Sequence, residues 1–518
     1  MKRWLLHVRT SGRIAFILRL VILVPSSLLT FWWARALLHA MGPNNYGLLM
    51  AFQGVLGLVG LGDLGMGGAL VIRTSFLLAN NQISELQMLH ATARSLFLGI
   101  AVGGFMLIVC FSPWLPALFR LMETPASGSL AALFVAGGLY ALFGLMAAYY
   151  QTSLYAVGTV SWTVLPPVLV FHLGSAFQLI CALHHAPLWV QMLPSVVLTA
   201  GCLLLYRQMV CASHPDLAGP FPLRLESTYV KTLLKSSFWA YLFSISYYIY
   251  TATDRLMVNA GFGANQVTPY VLNSRLCDVA LLLIIGVGFV SMPRVVARIL
   301  NPDEGQKMEG RFAAEKVRKI QTFLGCAAGI VYLTVNNAFV HWWFGPHIVV
   351  PLDLQAAFAF TLLLTASSEN AIQLWGRLSE SGLQKASIAA ILSALVNLGL
   401  SYTAMSVGWI EGIAWATWLA RAFFALFAIR AVCAELRIPS RGWLASVFLV
   451  PTLLLIVSFL LTKWISPHTA SQWLELTGSN LALLVLSFFL CGLRPSLFRE
   501  ELTAVRSLIR GPDRNEGL

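Results

Sequence analysis

Apolar runs of about twenty residues recur along the whole of this chain, and no motif in it limits the fold so strongly. A helix of that length rises about 30 Å, the thickness of bilayer hydrocarbon. Lipid offers no partner for an unpaired peptide group, so only helices and closed barrels span it. Barrel strands would be shorter and would alternate polar with apolar, a pattern this sequence lacks. The runs place spans at 14–40, 46–72, 95–117, 129–155, 160–183, 187–209, 237–260, 267–293, 320–342, 352–376, 386–407, 410–432, 442–463 and 476–493. Of the 518 residues 58% are hydrophobic and 11% charged, whereas about a quarter of a soluble domain is charged. The expected fold is an all-α polytopic membrane protein of about fourteen transmembrane helices.

The cations set its orientation. Of the 34 lysines and arginines, 27 fall on one side when Arg207 and Arg430, at span ends, are counted with that side. They include Lys2, Arg3, Arg9 and Arg13, and the run Arg294, Arg298, Lys307, Arg311, Lys316, Arg318 and Lys319. The opposite side carries Arg120 and Lys463, and the remainder lie within spans. Positive-inside bias puts both termini in the cytoplasm, which requires an even number of spans. This topology accounts for the net charge of +13, so a nucleic-acid partner is not expected. The N-terminal apolar stretch outruns the h-region of a signal peptide and is expected to stay as the first helix. The eight cysteines form no C-x-x-C pair and no zinc-spaced Cys/His cluster, so they are expected to be small buried apolar groups, with no metal or cofactor.

No loop is large enough for a folded domain. The expected division is a first six-span lobe at 1–209, a cytoplasmic linker at 210–236, a second lobe at 237–432, two further spans within 433–494 and a cytoplasmic tail at 495–518. In the tail, Leu497, Phe498, Leu502, Val505 and Leu508 have the spacing of an interfacial amphipathic helix, or of a solvated tail. A shift of 220 residues lays span 1 on span 7, matching Ser26 to Ser246, Arg35 to Arg255, Ala40 to Ala260 and Asn45 to Asn265. Each segment places an arginine near the outer end of a helix, then a short Gly/Asn loop, then another helix. Two pseudo-symmetric halves follow.

An ionisable group at a helix centre costs roughly 2.5–3.5 kcal/mol on insertion scales, so each needs a reason. The first two helices of each half carry Arg19, Arg35, Asp63, Asp254, Arg255, Arg275 and Asp278. If the halves face each other, these charges share one water-filled cleft. Arg19, Arg35, Arg255 and Arg275 are then candidates for binding a polyanion such as pyrophosphate through bidentate hydrogen bonds. Arg35 and Arg255 equally well snorkel to the interface. Arg275 and Asp278, three apart on one helix face, equally well neutralise each other. Asp63, Asp278 and Glu369 are the candidates for ion coupling, Glu369 alternatively pairing with Arg377. Asp63 lies in Gly60-Leu61-Gly62-Asp63-Leu64-Gly65, which fits a dinucleotide fingerprint in letters only, because that motif needs a strand before it. Inside a span, such small residues let helix backbones approach or bend.

The stretch Ala34-Arg35 through Gly42-Pro43-Asn44-Asn45-Tyr46-Gly47 resembles the Arg…Leu-Gly-x-x-x-Tyr-Gly segment of polysaccharide flippases, with Met41 where those carry Leu. Gly62-Asp63-Leu64-Gly65-Met66 resembles their Asp-Leu-Gly motif, and Asp254-Arg255 through Gly263, Tyr270 and Pro293 is similar to their seventh and eighth helices. These are the Wzx-type O-antigen exporters of the multidrug/oligosaccharidyl-lipid/polysaccharide (MOP) superfamily, which also holds lipid II flippases and MATE antiporters. The resemblance implies a MATE-like fold in a bacterial inner membrane and alternating access between two lobes. It also implies an undecaprenyl-pyrophosphate-linked oligosaccharide, O-antigen or exopolysaccharide unit, moved to the periplasmic leaflet. Polysaccharide polymerase and other assembly enzymes are the implied partners. Coupling to H+ or Na+ is implied, and there is no Walker A sequence for direct ATP use. A lipid II flippase or a MATE-type cation antiporter are the rivals within transport. A membrane glycosyltransferase or polymerase is the rival among enzymes, against which stand the short outer loops.

Overall fold

The computed structural model describes residues 12–59, 65–79, 82–121, 129–156, 165–213, 225–301, 303–438, 444, 449–465 and 470–490. Asp63, the centre of the 210–236 linker and the 495–518 tail lie outside the described residues. Among those described, the helices are α1 (Gly12–Val59), α2 (Met66–Ala79), α3 (Ile83–Phe111), α4 (Leu115–Leu118), α5 (Leu130–Ala156), α6 (Leu165–Leu183), α7 (Leu188–Ser213) and α8 (Ser227–Phe262). They continue as α9 (Ala264–Ile299), α10 (Glu304–Phe344), α11 (Leu352–Leu378), α12 (Glu380–Ser406), α13 (Ile410–Leu436), α14 (Val450–Ile465) and α15 (Ala470–Leu490). Seven of them are long and apolar enough to cross a bilayer, and α14 and α15 are shorter apolar helices. The chain is a multi-pass helical membrane protein.

The connection expected at 41–45 is a single residue: Gly42, at φ 75° and ψ 165°, is a non-helical joint between the two helical parts of α1, and Asn44 and Asn45 already belong to the second. That region of backbone space is essentially glycine-only. Pro43 follows as the first residue of the resumed helix, where its missing N–H costs nothing. Asn45 Nδ2 donates to the Met41 carbonyl (3.4 Å), one of those the break leaves without a helical partner. The joint between α8 and α9 is built the same way: Gly263 lies at φ 84° and ψ 164°, and its N–H donates to Asn259 O (2.9 Å). At the start of α10 the Asp303 carboxylate accepts from the Gly305 and Gln306 amides (3.2 and 3.3 Å), a side-chain cap.

Cα packing groups the chain into two compact units. The first is Met1–Arg275 with His341–Val349 and Leu383–Ala420; the second is Leu276–Val340, Val350–Gly382 and Arg421–Leu518. In the first, α3 presents Leu86, Leu89, Ala93 and Phe97 at helical spacing to Tyr149, Tyr150 and Leu154 of α5 and Tyr206 of α7. Lipid tails are as apolar as leucine, so close packing holds membrane helices together. Gly47 lies so near the α9 backbone that a Cβ there would sit 1.9 Å from Ala264 O; at Gly54 it would sit 2.9 Å from Ala252 O. In the second unit, Gly325 gives way to Ala366 in the same manner. There Asn480 of α15 donates to Thr334 Oγ1 of α10 and accepts from Ser458 of α14, both at 2.8 Å, tying the last two helices to α10.

Candidate functional site

Four of the seven expected site residues have described side chains on the glycine-jointed helices α1, α8 and α9. Arg35, on α1, is exposed, and its guanidinium lies 5.2 Å from the centre of the Trp343 ring. That is a cation–π distance. Trp343 is held in turn by donation from its indole N–H to Phe31 O (3.0 Å), one turn before Arg35. Arg255 is half-buried beside Asp254 on α8. Arg275 is half-buried on α9, and its Nη2 donates to the hydroxyl of Tyr46 (3.3 Å) and lies 3.4 Å from Met50 Sδ. Asp278 is exposed and falls in the second unit, whereas Arg35, Arg255 and Arg275 fall in the first. Arg19 lies on α1, and its side chain is outside the described set.

Glu369 belongs to a polar row on α11. Thr365, Glu369, Gln373 and Arg377 are spaced four apart and so share one face. Gln373 donates to Glu369 Oε1 (2.8 Å), and Arg421 of α13 donates to Thr365 Oγ1 (2.9 Å).

The charge that sequence reasoning undervalued is Asp254. It is 8% exposed, and Tyr270 of α9 donates to its Oδ2 (3.1 Å). Thr417 of α13 lies 3.1 and 3.0 Å from its two oxygens and 3.2 Å from Asn397 Oδ1 of α12. Ser401, one turn along α12, reaches that same amide oxygen (3.3 Å). Thr417 has one proton for three acceptor atoms. The Asn397 amide nitrogen is buried without a partner as placed, so turning the amide lets its NH2 donate to Thr417 and Ser401 and leaves the Thr417 proton for Asp254. The signal was present in Asn397, Ser401 and Thr417, polar groups in apolar spans, but only the packing of α8, α9, α12 and α13 brings them to Asp254.

The ends of these helices at the glycine joints are latched. Thr268 of α9 donates to Pro43 O (2.6 Å), and Asn259 of α8 donates to Arg120 O (2.9 Å) and Phe119 O (3.4 Å) after α4. Arg120, at φ 51°, donates back to Ala260 O (3.3 Å).

The sequence matches no protein-family profile and no curated protein. Solved structures do match. A lipid II flippase, MurJ, in an inward closed conformation aligns at a TM-score of 0.66 with 14% identity, covering 94% of this chain and 100% of that one. An inward-facing multidrug resistance MATE transporter of the MOP superfamily aligns at 0.57 with 16% identity, over 82% of this chain and 99% of that one. A MOP superfamily transporter from Pyrococcus furiosus described as having a reversed-polarity binding pocket aligns at 0.52 with 14% identity, over 83% and 98%. Glycine-jointed helix pairs, with no strand among the described residues, thus resolve into one architecture, the MATE-like fold shared by transporters and flippases of the MOP superfamily.

Proposed function

We propose that this chain is a flippase carrying an undecaprenyl-pyrophosphate-linked oligosaccharide, an O-antigen or exopolysaccharide unit, from the cytoplasmic to the periplasmic leaflet of a bacterial inner membrane. The observation that carries this reading is Arg275, a cation within a membrane helix whose guanidinium is fixed by Tyr46 of the other glycine-jointed helix pair. A planar guanidinium suits the paired oxygens of a pyrophosphate. Arg35 and Arg255 stand at matching places on the two pairs, and Arg19 completes the cationic set. An antiporter for organic cations would want the opposite sign.

Coupling is assigned first to the Asp254 oxygen cluster, which can take a proton or a small hard cation such as Na+. Asp63, Asp278 and Glu369 remain the further candidates. Both termini are placed in the cytoplasm, and polysaccharide polymerase and related enzymes are the expected partners.

The test is surface polysaccharide in a panel of glycan-defined bacteria lacking their own O-antigen flippase. Restoration lost in Arg35→Ala, Arg255→Ala and Arg275→Ala at equal protein level supports the reading. Restoration indifferent to all three removes the arginines from the site. A second reading, a lipid II flippase, draws on the similarity to MurJ. Rescue of cells depleted of their own lipid II flippase, with no effect on O-antigen, would select it. Resistance to cationic dyes with neither rescue would select a drug antiporter.

A further inference from the structure

The bonds of His172 concern a group that the cationic set and the Asp254 cluster leave untouched. His172 lies on α6 and reaches α1 with both ring nitrogens: Nε2 is 2.7 Å from Ser26 Oγ, and the Trp33 indole N–H donates to Nδ1 (3.0 Å). An indole N–H only donates, so Nδ1 must hold a lone pair. The ring is therefore neutral, and its one proton sits on Nε2 and is donated to Ser26. Ser26 and Trp33 are seven apart, two helical turns, so they share one face of α1 and one imidazole fastens both turns. The fastening begins just after Pro25, which removes a backbone hydrogen bond from α1 and makes that stretch easier to bend.

We propose that His172 is a second proton-binding site of the transport cycle, whose protonation releases the outer half of α1 from α6. A proton arriving at Nδ1 turns the acceptor into a donor facing another donor, and the Trp33 bond is lost. Trp33 stands two residues before Arg35, so the released stretch carries a residue of the cationic set. α1 and α7 both pack on α6. The described titratable side chains of these three helices include Arg35, His39 and Tyr46 on α1, Cys181 on α6, and Cys202, Tyr206, Arg207 and Cys211 on α7. The ring's two printed bonds both go to α1, so a change in its protonation acts first on Ser26 and Trp33. This inference rests on the transporter reading for its meaning, but not for its test.

The test is NMR of the whole protein in lipid nanodiscs, labelled with 15N in histidine and tryptophan. His172 is assigned by the signal lost in His172→Gln, or in His172→Asn if the first variant does not fold, and Trp33 by Trp33→Phe. The expected result is the Nε2–H tautomer at about pH 8 and conversion to imidazolium by about pH 5, with the Trp33 indole signal shifting at the same midpoint. A ring that stays neutral down to about pH 5 overturns the proposal, and so does titration that leaves Trp33 unmoved. Neither readout uses substrate, so a failed polysaccharide assay leaves this test standing.

Discussion

The two glycine-jointed helix pairs share a backbone and differ in chemistry. Gly42 and Gly263 hold nearly the same dihedral angles, and an arginine precedes each joint, Arg35 and Arg255. Aligned before the joints by 220 residues and after them by 221, the pairs show three differences that bear on how they meet. Ala34, buried, stands where the second pair has Asp254. Gly47 stands opposite Thr268, and Gly54 opposite Arg275. At each, the first pair has a small side chain or none, and the second has a polar or charged group. Gly47 and Gly54 give room to the α9 and α8 backbones, while Thr268 and Arg275 reach across to Pro43 and Tyr46. The joint is common to both pairs, and the polar chemistry is concentrated on one.

Removing the room should have the largest effect. A Cβ at Gly47 meets a backbone carbonyl at 1.9 Å, and a carbonyl cannot swing aside as a side chain can. Gly47→Ala should cost about 3 kcal/mol, at the upper end for overpacking. The check is the melting temperature of the detergent-solubilised protein beside Gly99→Ala, where a Cβ meets nothing within 4 Å and the melt should not move. Equal melting in both would mean that the two pairs do not press together at Gly47.

Next comes the exchange of charge between the pairs. Ala34→Asp, at a buried position, should cost about 2.5–3.5 kcal/mol, the penalty for an acid inside a span. Asp254→Asn keeps the shape of the side chain and should fold, yet lose at least about tenfold in transport rate together with its dependence on H+ or Na+, if a proton or cation at this carboxylate sets the coupling. Flux in proteoliposomes under imposed ion gradients separates the two variants. Unaltered ion dependence in Asp254→Asn would return the coupling role to Glu369, Asp278 or Asp63.

The joints themselves should respond alike. Gly42→Ala and Gly263→Ala each force a side chain into a glycine-only region, at about 1–3 kcal/mol. If their melting temperatures fall by unequal amounts, the backbone likeness of the two pairs does not extend to their energetics.

Much of this was open to sequence reasoning because lipid enforces it: spans follow from apolar length, and the repeat was read from the 220-residue shift that lays Ser26, Arg35, Ala40 and Asn45 on Ser246, Arg255, Ala260 and Asn265. What stayed hidden depended on three-dimensional packing. Asp254 was visible as a costly charge, but Asn397, Ser401 and Thr417 are 143 or more residues away, and no periodicity joins them to it. The 41–45 segment read as a loop because Gly, Pro and two Asn are turn residues. One glycine with a proline behind it proved enough to end one helix and start the next. His172 carried no signal at all, since a lone histidine in a span says nothing of which helix it will meet.

The smallest effect is expected where the second pair reaches back to the first. Thr268 is fully buried, and its hydroxyl donates to the carbonyl of Pro43 just past the Gly42 joint. Thr268→Val keeps the branched shape and removes the donor, leaving that carbonyl short of one partner. A net bond of this kind is worth about 0.5–1.5 kcal/mol, so the melting temperature should fall by only a few degrees. The more telling readout is solvent access at the joint. If the bond is a latch between the helix pairs, a cysteine placed at His39 or Asn44, each in a background freed of native thiols, should react faster with a membrane-impermeant maleimide in Thr268→Val than in its parent. A lower melting temperature with unchanged labelling would make Thr268 a packing group, and the contact beside the Gly42 joint would then rest on the close approach at Gly47.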